Sequence, residues 1–228
     1  MTRLWLPLLL ACSFALPARA GTMPDGFVYL RDVAPSIRQD MRYAGSNNFT
    51  GASVSGYEAG ECVLAKPVAE ALAKVQAALE REGRSLVVHD CYRPARAVRR
   101  FVEWVGENGE NKDSRWHPRL KRSALIAEGY IAARSGHSSG GSVDLSFGRI
   151  DAGGSFRLAD MGSEFDLFDP LSHTASPAVA ADAAANRDYL VRAMRRQGFS
   201  NYKREWWHYR FNSEPFEGKA FDFPVSPR

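Results

Sequence analysis

Ser135-Gly136-His137-Ser138-Ser139-Gly140-Gly141-Ser142-Val143-Asp144 is the stretch from which the rest of the chain is read. It places an imidazole and a carboxylate seven positions apart, with small residues between them that let the backbone turn tightly and admit another group close by. Alone this is a weak signal, because a single His beside glycines is more often a loop residue than a ligand. A second stretch, Glu205-Trp206-Trp207-His208, supplies another imidazole and another carboxylate. A zinc hydrolase needs three protein ligands, one open position for water and a nearby carboxylate, and His137, Asp144, His208 and Glu205 provide that set. On a regular strand, residues three apart face opposite ways. Glu205 and His208 therefore share a site only where the strand bulges or turns, and that irregularity is predicted here.

Outward from these stretches the apolar pattern places the elements. Val68, Leu72, Val75 and Leu79 repeat at helical spacing between Pro67 and Glu82, with Pro67 suited to the first turn and Gly83 to the end. Residues 85–90 read as a short buried strand leading into Cys91-Tyr92-Arg93-Pro94, and a helix over 94–105 turns Val98, Phe101 and Val105 inward. Arg93 thus stands at the end of a strand, a common place for site residues. Residues 120–128 read as a short helix and 142–147 as a strand. A hairpin turn at 151–154 precedes a strand over 155–158, and a helix over 182–197 is capped by Asp182 and stopped by Gly198. Residues 199–211 read as an aromatic strand, and 21–62 as irregular with one or two short strands. The whole is an α+β fold, one domain over residues 21–228 with helices packed on a mainly antiparallel sheet.

The 228 residues suffice for one well-filled domain, and 45% hydrophobic with 25% charged residues is ordinary for a globular protein. Residues 1–20 carry Arg3, an apolar run over 4–16 and Pro17, and they end in Ala18-Arg19-Ala20, the small-x-small pattern of a cleaved signal peptide. The run is too short to span a bilayer. Leu10-Ala11-Cys12 is a lesser match to a lipoprotein site. Without Arg3 and Arg19 the formal charge of +4 falls to +2, which excludes an argument for nucleic acid. Periplasmic or secreted location is expected. The mature chain keeps Cys62 and Cys91, which form either a disulfide, favoured in that compartment, or two buried thiols.

The motifs together resemble those of the VanX-type D-alanyl-D-alanine dipeptidases, zinc enzymes related in fold to lysostaphin-like peptidases, D-Ala-D-Ala carboxypeptidases and the hedgehog signalling domain. The resemblance rests on Ser135-Gly136-His137 through Asp144, on Glu205-Trp206-Trp207-His208, and on Asp40-Met41-Arg42-Tyr43-Ala44 with Asn48-Phe49-Thr50-Gly51. It includes Tyr92-Arg93-Pro94, Met161-Gly162-Ser163-Glu164-Phe165-Asp166 and Phe221-Asp222-Phe223-Pro224, and runs in order from about 27 to 225. It implies one zinc held by His137, Asp144 and His208, Glu205 as general base, and Arg93 steadying the tetrahedral oxyanion. It also implies a dipeptide pocket lined by Ser135, Tyr43 and Asp166. Cys91 departs from the pattern, standing where better-known members often have Gly.

The implied function is hydrolysis of D-Ala-D-Ala into two D-alanines, with water on zinc attacking the peptide carbonyl. One alternative is a carboxypeptidase or endopeptidase acting on longer peptidoglycan peptides. Another is a non-catalytic zinc protein that binds cell-wall peptides, against which Glu205 and Arg93 argue, since binding a metal requires neither. Among the remaining histidines, His89 on an apolar strand reads as a core residue and His117 as solvated, while His173 is a candidate support for the site. A Ser138 or Ser139 nucleophile lacks a free base.

Overall fold

The computed structural model describes residues 21–107 and 114–228, so the predicted leader over 1–20 lies outside the described residues. The elements in chain order are β1 (Phe27–Tyr29), α1 (Leu30–Val33), β2 (Arg38–Gln39), β3 (Val63–Ala65), α2 (Lys66–Glu80) and β4 (Arg84–Asp90). They continue with α3 (Ala95–Gly106), β5 (Ser142–Ile150), β6 (Phe156–Leu158), α4 (Ala181–Arg195), β7 (Phe199–Asn201) and β8 (His208–Phe211). A six-stranded sheet runs β2-β4-β5-β8-β7, with β6 added to the far end of β5, and β1 and β3 form a separate antiparallel pair. Every pairing in the large sheet is antiparallel except β2 with β4. The α+β class read from the sequence is the class observed.

Helix α2 forms where the apolar spacing places it, with Pro67 in its first turn and Val68, Leu72, Val75 and Leu79 buried. Each such side chain contributes roughly 1.5 to 3 kcal/mol on leaving water. Gln76 is also buried, and its amide is satisfied: it accepts from the Leu86 backbone N–H (2.9 Å) and donates to Ser85 Oγ (3.0 Å). That pair ties α2 to β4. Strand β5 is buried from Ser142 to Gly148 because it lies between β4 and β8 with both faces covered. The disulfide is present, joining Cys62 beside β3 to Cys91 just past β4 with a Cα–Cα distance of 5.3 Å.

Four local expectations are corrected. Residues 199–211 are not one strand: β7 and β8 form a hairpin, and residues 202–207 turn between them, with Glu205 N–H bonded to Tyr202 O (2.9 Å) and His208 N–H to Glu205 O (3.2 Å). The irregularity required between Glu205 and His208 is this turn. Residues 120–128 hold only a 3-10 turn at Arg122–Ala124. Asp182 lies inside the first turn of α4 rather than at its cap, which is Ala180. His117 is fully buried, and Nδ1–H donates to Leu120 O (2.8 Å), so it is a core residue and not a solvated one. Asn48, in a glycosylation sequon, is also buried, its amide donating to Arg42 O, Gly45 O and Ala52 O.

Candidate metal centre and catalytic cavity

The register of the sheet builds the site. Asp90 on β4 lies opposite Asp144 on β5, and Asp144 lies opposite His208 on β8, which makes one row across three central strands. His137 enters from the 3-10 turn Gly136–Ser139 just before β5. That turn closes on Gly140 at φ 74°, and a Cβ there would come within 2.4 Å of the Phe27 ring, so the opening motif needs glycine at this position.

Three ligand atoms converge. His137 Nε2 lies 3.2 Å from Asp144 Oδ1, His208 Nδ1 lies 2.9 Å from the same oxygen, and the two ring nitrogens are 3.1 Å apart. Tetrahedral zinc with ligand bonds near 2.0 Å separates its ligand atoms by about 3.3 Å, so the triangle fits that ion. His137 Nδ1 lies 2.7 Å from the Cys91 carbonyl, which can only accept; Nδ1 therefore carries a proton, and Nε2 is the ring nitrogen that faces the triangle. Burial resists ionisation of Asp144, yet His137 and His208 outweigh it and hold the carboxyl well below the usual range. Such a donor set is ready for a cation. His208 is pulled the other way: burial disfavours its charge, but the Asp144 hydrogen bond raises its pKa.

The triangle opens on a cavity of ≈ 320 Å³ that is also lined by Tyr43, Arg93, Ser135, Asp166 and Glu205. Every metal-ligand, catalytic and pocket-lining residue expected from the sequence therefore lines this one cavity. Glu205 Oε2 is 3.9 Å from His208 Nδ1, and burial pushes its carboxyl up to about 7, with Asp144 adding to the shift and His208 and Arg93 opposing it. Tyr43 O–H donates to Asp166 Oδ2 (2.8 Å). Burial and the nearby Asp144 push the Asp166 carboxyl well above its ordinary range. Ser135 Oγ accepts from His137 N–H (3.2 Å) and so braces the ligand loop from the cavity side.

Two residues that sequence reasoning missed hold Arg93. Asp90, with no exposed surface, accepts from Arg93 Nε (2.9 Å) and Nη2 (2.8 Å) through Oδ2, and from Tyr57 O–H (2.7 Å) through Oδ1. The guanidinium also lies over the Tyr43 and Phe101 rings, at 5.3 and 5.1 Å. The spacing of Asp90 to Arg93 was a usable signal; Tyr57 had none, being 33 residues before Asp90. The backbones are joined too, Arg93 N–H bonding to His137 O (3.2 Å) and Ser138 O–H to Arg93 O (2.8 Å). Ser138 is thereby spent on structure. Ser139 O–H is likewise engaged, with Gly136 O and Glu214.

The other histidines stay out of the site. His89 is a buried core residue facing the Phe165 ring at 5.0 Å. His173 lines a separate groove with Arg119 and Lys203, and its buried Nε2 meets no partner among the described residues, so it does not brace the ligands.

A buried His, Asp, His triangle facing a carboxylate and a guanidinium across one cavity is the arrangement of a metallopeptidase centre. The chain belongs to the Peptidase_M15 family described as D-ala-D-ala dipeptidase, whose pattern matches residues 23–226. It is 40% identical over 205 residues to the D-alanyl-D-alanine dipeptidase of Enterococcus faecium, spanning 89% of this chain and all of that protein. It is 40% identical over 206 residues to the protein of the same name in Streptomyces coelicolor, spanning 90% of this chain and all of that one. The Escherichia coli D-alanyl-D-alanine dipeptidase is 29% identical over 203 residues, covering 88% of this chain and 93% of its own.

Proposed function

We propose that the protein hydrolyses the dipeptide D-alanyl-D-alanine to two D-alanines, with one zinc held by His137, Asp144 and His208. The observation that carries this reading is the meeting of that triangle with Glu205 and Arg93 in one small cavity. When bound, zinc supplies Lewis acidity, polarising the scissile carbonyl and acidifying water. Glu205, buried and with its pKa lifted into the neutral range, takes the proton from the attacking water and delivers it to the leaving amine. Arg93 keeps its charge at any working pH and aims a fixed fork of donors at the oxyanion. Asp90 holds that fork from behind, so its geometry exists before substrate arrives. Asp166 offers a carboxyl partner to the substrate ammonium, braced by Tyr43, and Ser135 offers a hydroxyl beside the ligand loop.

The cavity favours the dipeptide over a long stem, since ≈ 320 Å³ is at the small end of ligand sites. The disulfide and the leader pattern support export, and we place the reaction in the periplasm or outside the cell. The test is release of D-alanine by zinc-loaded protein, with D-Ala-D-Ala compared against a pentapeptide stem. Release from the dipeptide alone is expected; faster release from the stem overturns the substrate, and no release from either overturns the reaction. Recovery of activity from the cytoplasmic fraction alone overturns the location.

A further inference from the structure

The segment from Met161 to His173 carries Asp166 and so forms one wall of the cavity, yet it holds no strand or long helix to stiffen it. Asp166 itself sits at φ 62°, the one non-glycine residue with positive φ among those described. A side-chain-bearing residue stays in that region only where its surroundings over-determine it. Tyr43 O–H holds the Asp166 carboxyl (2.8 Å), and the ends of the segment are held from the neighbouring helix. Arg187 on α4 has no exposed surface and reaches the segment at both ends: Nε donates to Met161 O (2.7 Å), and Nη1 donates to Leu171 O (3.0 Å) and His173 O (2.7 Å). Nη2 donates to Ser163 Oγ (3.2 Å).

Ser163 Oγ also accepts from Trp206 Nε1 (2.9 Å), and Trp206 N–H bonds to Ser172 O (3.1 Å). Trp206 is the neighbour of Glu205. One buried guanidinium therefore fastens both ends of the Asp166 segment and, through Ser163, the turn that carries Glu205. Among the described residues no carboxylate lies within ion-pair distance of it, although a buried cation is costly when unpaired. Burial accordingly lowers its pKa to about 10. A charge kept in such a place, with its donors spent on carbonyls of one segment, is matched to holding that segment.

We propose that Arg187 is a positioning residue for substrate recognition, acting through Asp166 by fixing the 161–173 segment. This rests on the reading of Asp166 as a contact to the dipeptide. The experiment is a double-mutant cycle on the full zinc-loaded chain with D-Ala-D-Ala, using Arg187→Lys, Asp166→Asn and the double variant, alongside hydrogen exchange on each. Arg187→Lys is expected to stay folded, to lower kcat/KM about tenfold, chiefly through KM, and to speed exchange of amides in 161–173 while leaving β4 and β5 unchanged. Placed on Asp166→Asn, the same change is expected to cost less than about twofold, because both act through one contact. Full multiplication of the two losses, or unaltered exchange in the segment, overturns the proposal.

Ser163→Ala leaves the three bonds from Arg187 to carbonyls in place while removing the Oγ that accepts from Arg187 Nη2 and Trp206 Nε1, and it serves if Arg187→Lys does not fold, with the same pattern at smaller scale. If the wild type releases no alanine, the dipeptidase reading fails, and the exchange data still decide whether Arg187 fixes the segment.

Discussion

Replacing Cys62 and Cys91 together by Ser separates what holds the fold from what holds the metal. The bridge spans a sequence separation of 29 residues. On the chain-entropy relation, a closed loop of that length contributes roughly 3 to 4 kcal/mol by restricting the unfolded chain. For a domain of this size each kcal/mol moves the melting temperature by about 2 to 4 °C, so a drop of about 10 °C is expected. The chemistry tells a different story. The group that orients His137 is the Cys91 backbone carbonyl, 2.7 Å from Nδ1, and Ser keeps that carbonyl. A domain of ordinary stability, about 5 to 15 kcal/mol, stays folded at 25 °C after such a loss. The double variant should therefore unfold at lower urea but bind zinc and turn over dipeptide much as the wild type does at 25 °C. Urea titration with zinc analysis of the folded protein checks both halves. A stability loss below about 1 kcal/mol would refute the loop-entropy reasoning. Lost zinc affinity in folded protein would show that the bridge, not the backbone, sets the ligand geometry.

Glu205→Gln should retain zinc and lose about 10² to 10⁴ in kcat, whereas His137→Ala should lose the metal as well; metal content and kcat measured on the same samples separate the two roles. Asp90→Asn removes the carboxylate that holds Arg93 most closely, leaving Asp144 Oδ2 at 3.6 Å as the remaining ion pair among the described residues, and should lower kcat more than it raises KM. Tyr57→Phe removes one hydrogen bond to Asp90 and should cost about 1 kcal/mol of stability with a smaller kinetic effect; equal losses from the two would contradict the view that Asp90 aims Arg93. Asp222 tests the acid side. Burial alone would raise its carboxyl, but hydrogen bonds from Arg96 and Arg99 hold it below 3.8. Its contribution is thus present above the unfolded pKa and lost as pH falls through the lower folded value. Asp222→Asn should therefore narrow the stability gap to wild type below about pH 3.8, and a gap that widens there would contradict the assignment.

The apolar spacing of Val68, Leu72, Val75 and Leu79, and the buried run ending at Asp90, determined α2 and β4 without any tertiary knowledge, because local periodicity alone selects the face a helix or strand buries. The ligand types were legible for a similar reason: His137, Asp144, Glu205 and His208 are few, chemically distinctive and set among residues that suit a tight turn. Pattern could not read pairing across distance. Whether residues 199–211 ran on as one strand or turned back depended on Asn201, whose amide bonds to Glu205 O and His208 O, and on the ladder between β5 and β8. His117 looked solvated because its neighbours are polar, while its burial beside Trp104 is a product of packing. Tyr57 reaching the Asp90 carboxylate, and Arg187 reaching backbone carbonyls of the Asp166 segment, are contacts made by side chains whose types carry no signal at any fixed spacing. The sequence by itself determined which groups could do chemistry here. The register of β4, β5 and β8, and the buried partners that fill the space behind them, decided where those groups point, because hydrogen-bond geometry between distant segments is set only when the chain is packed.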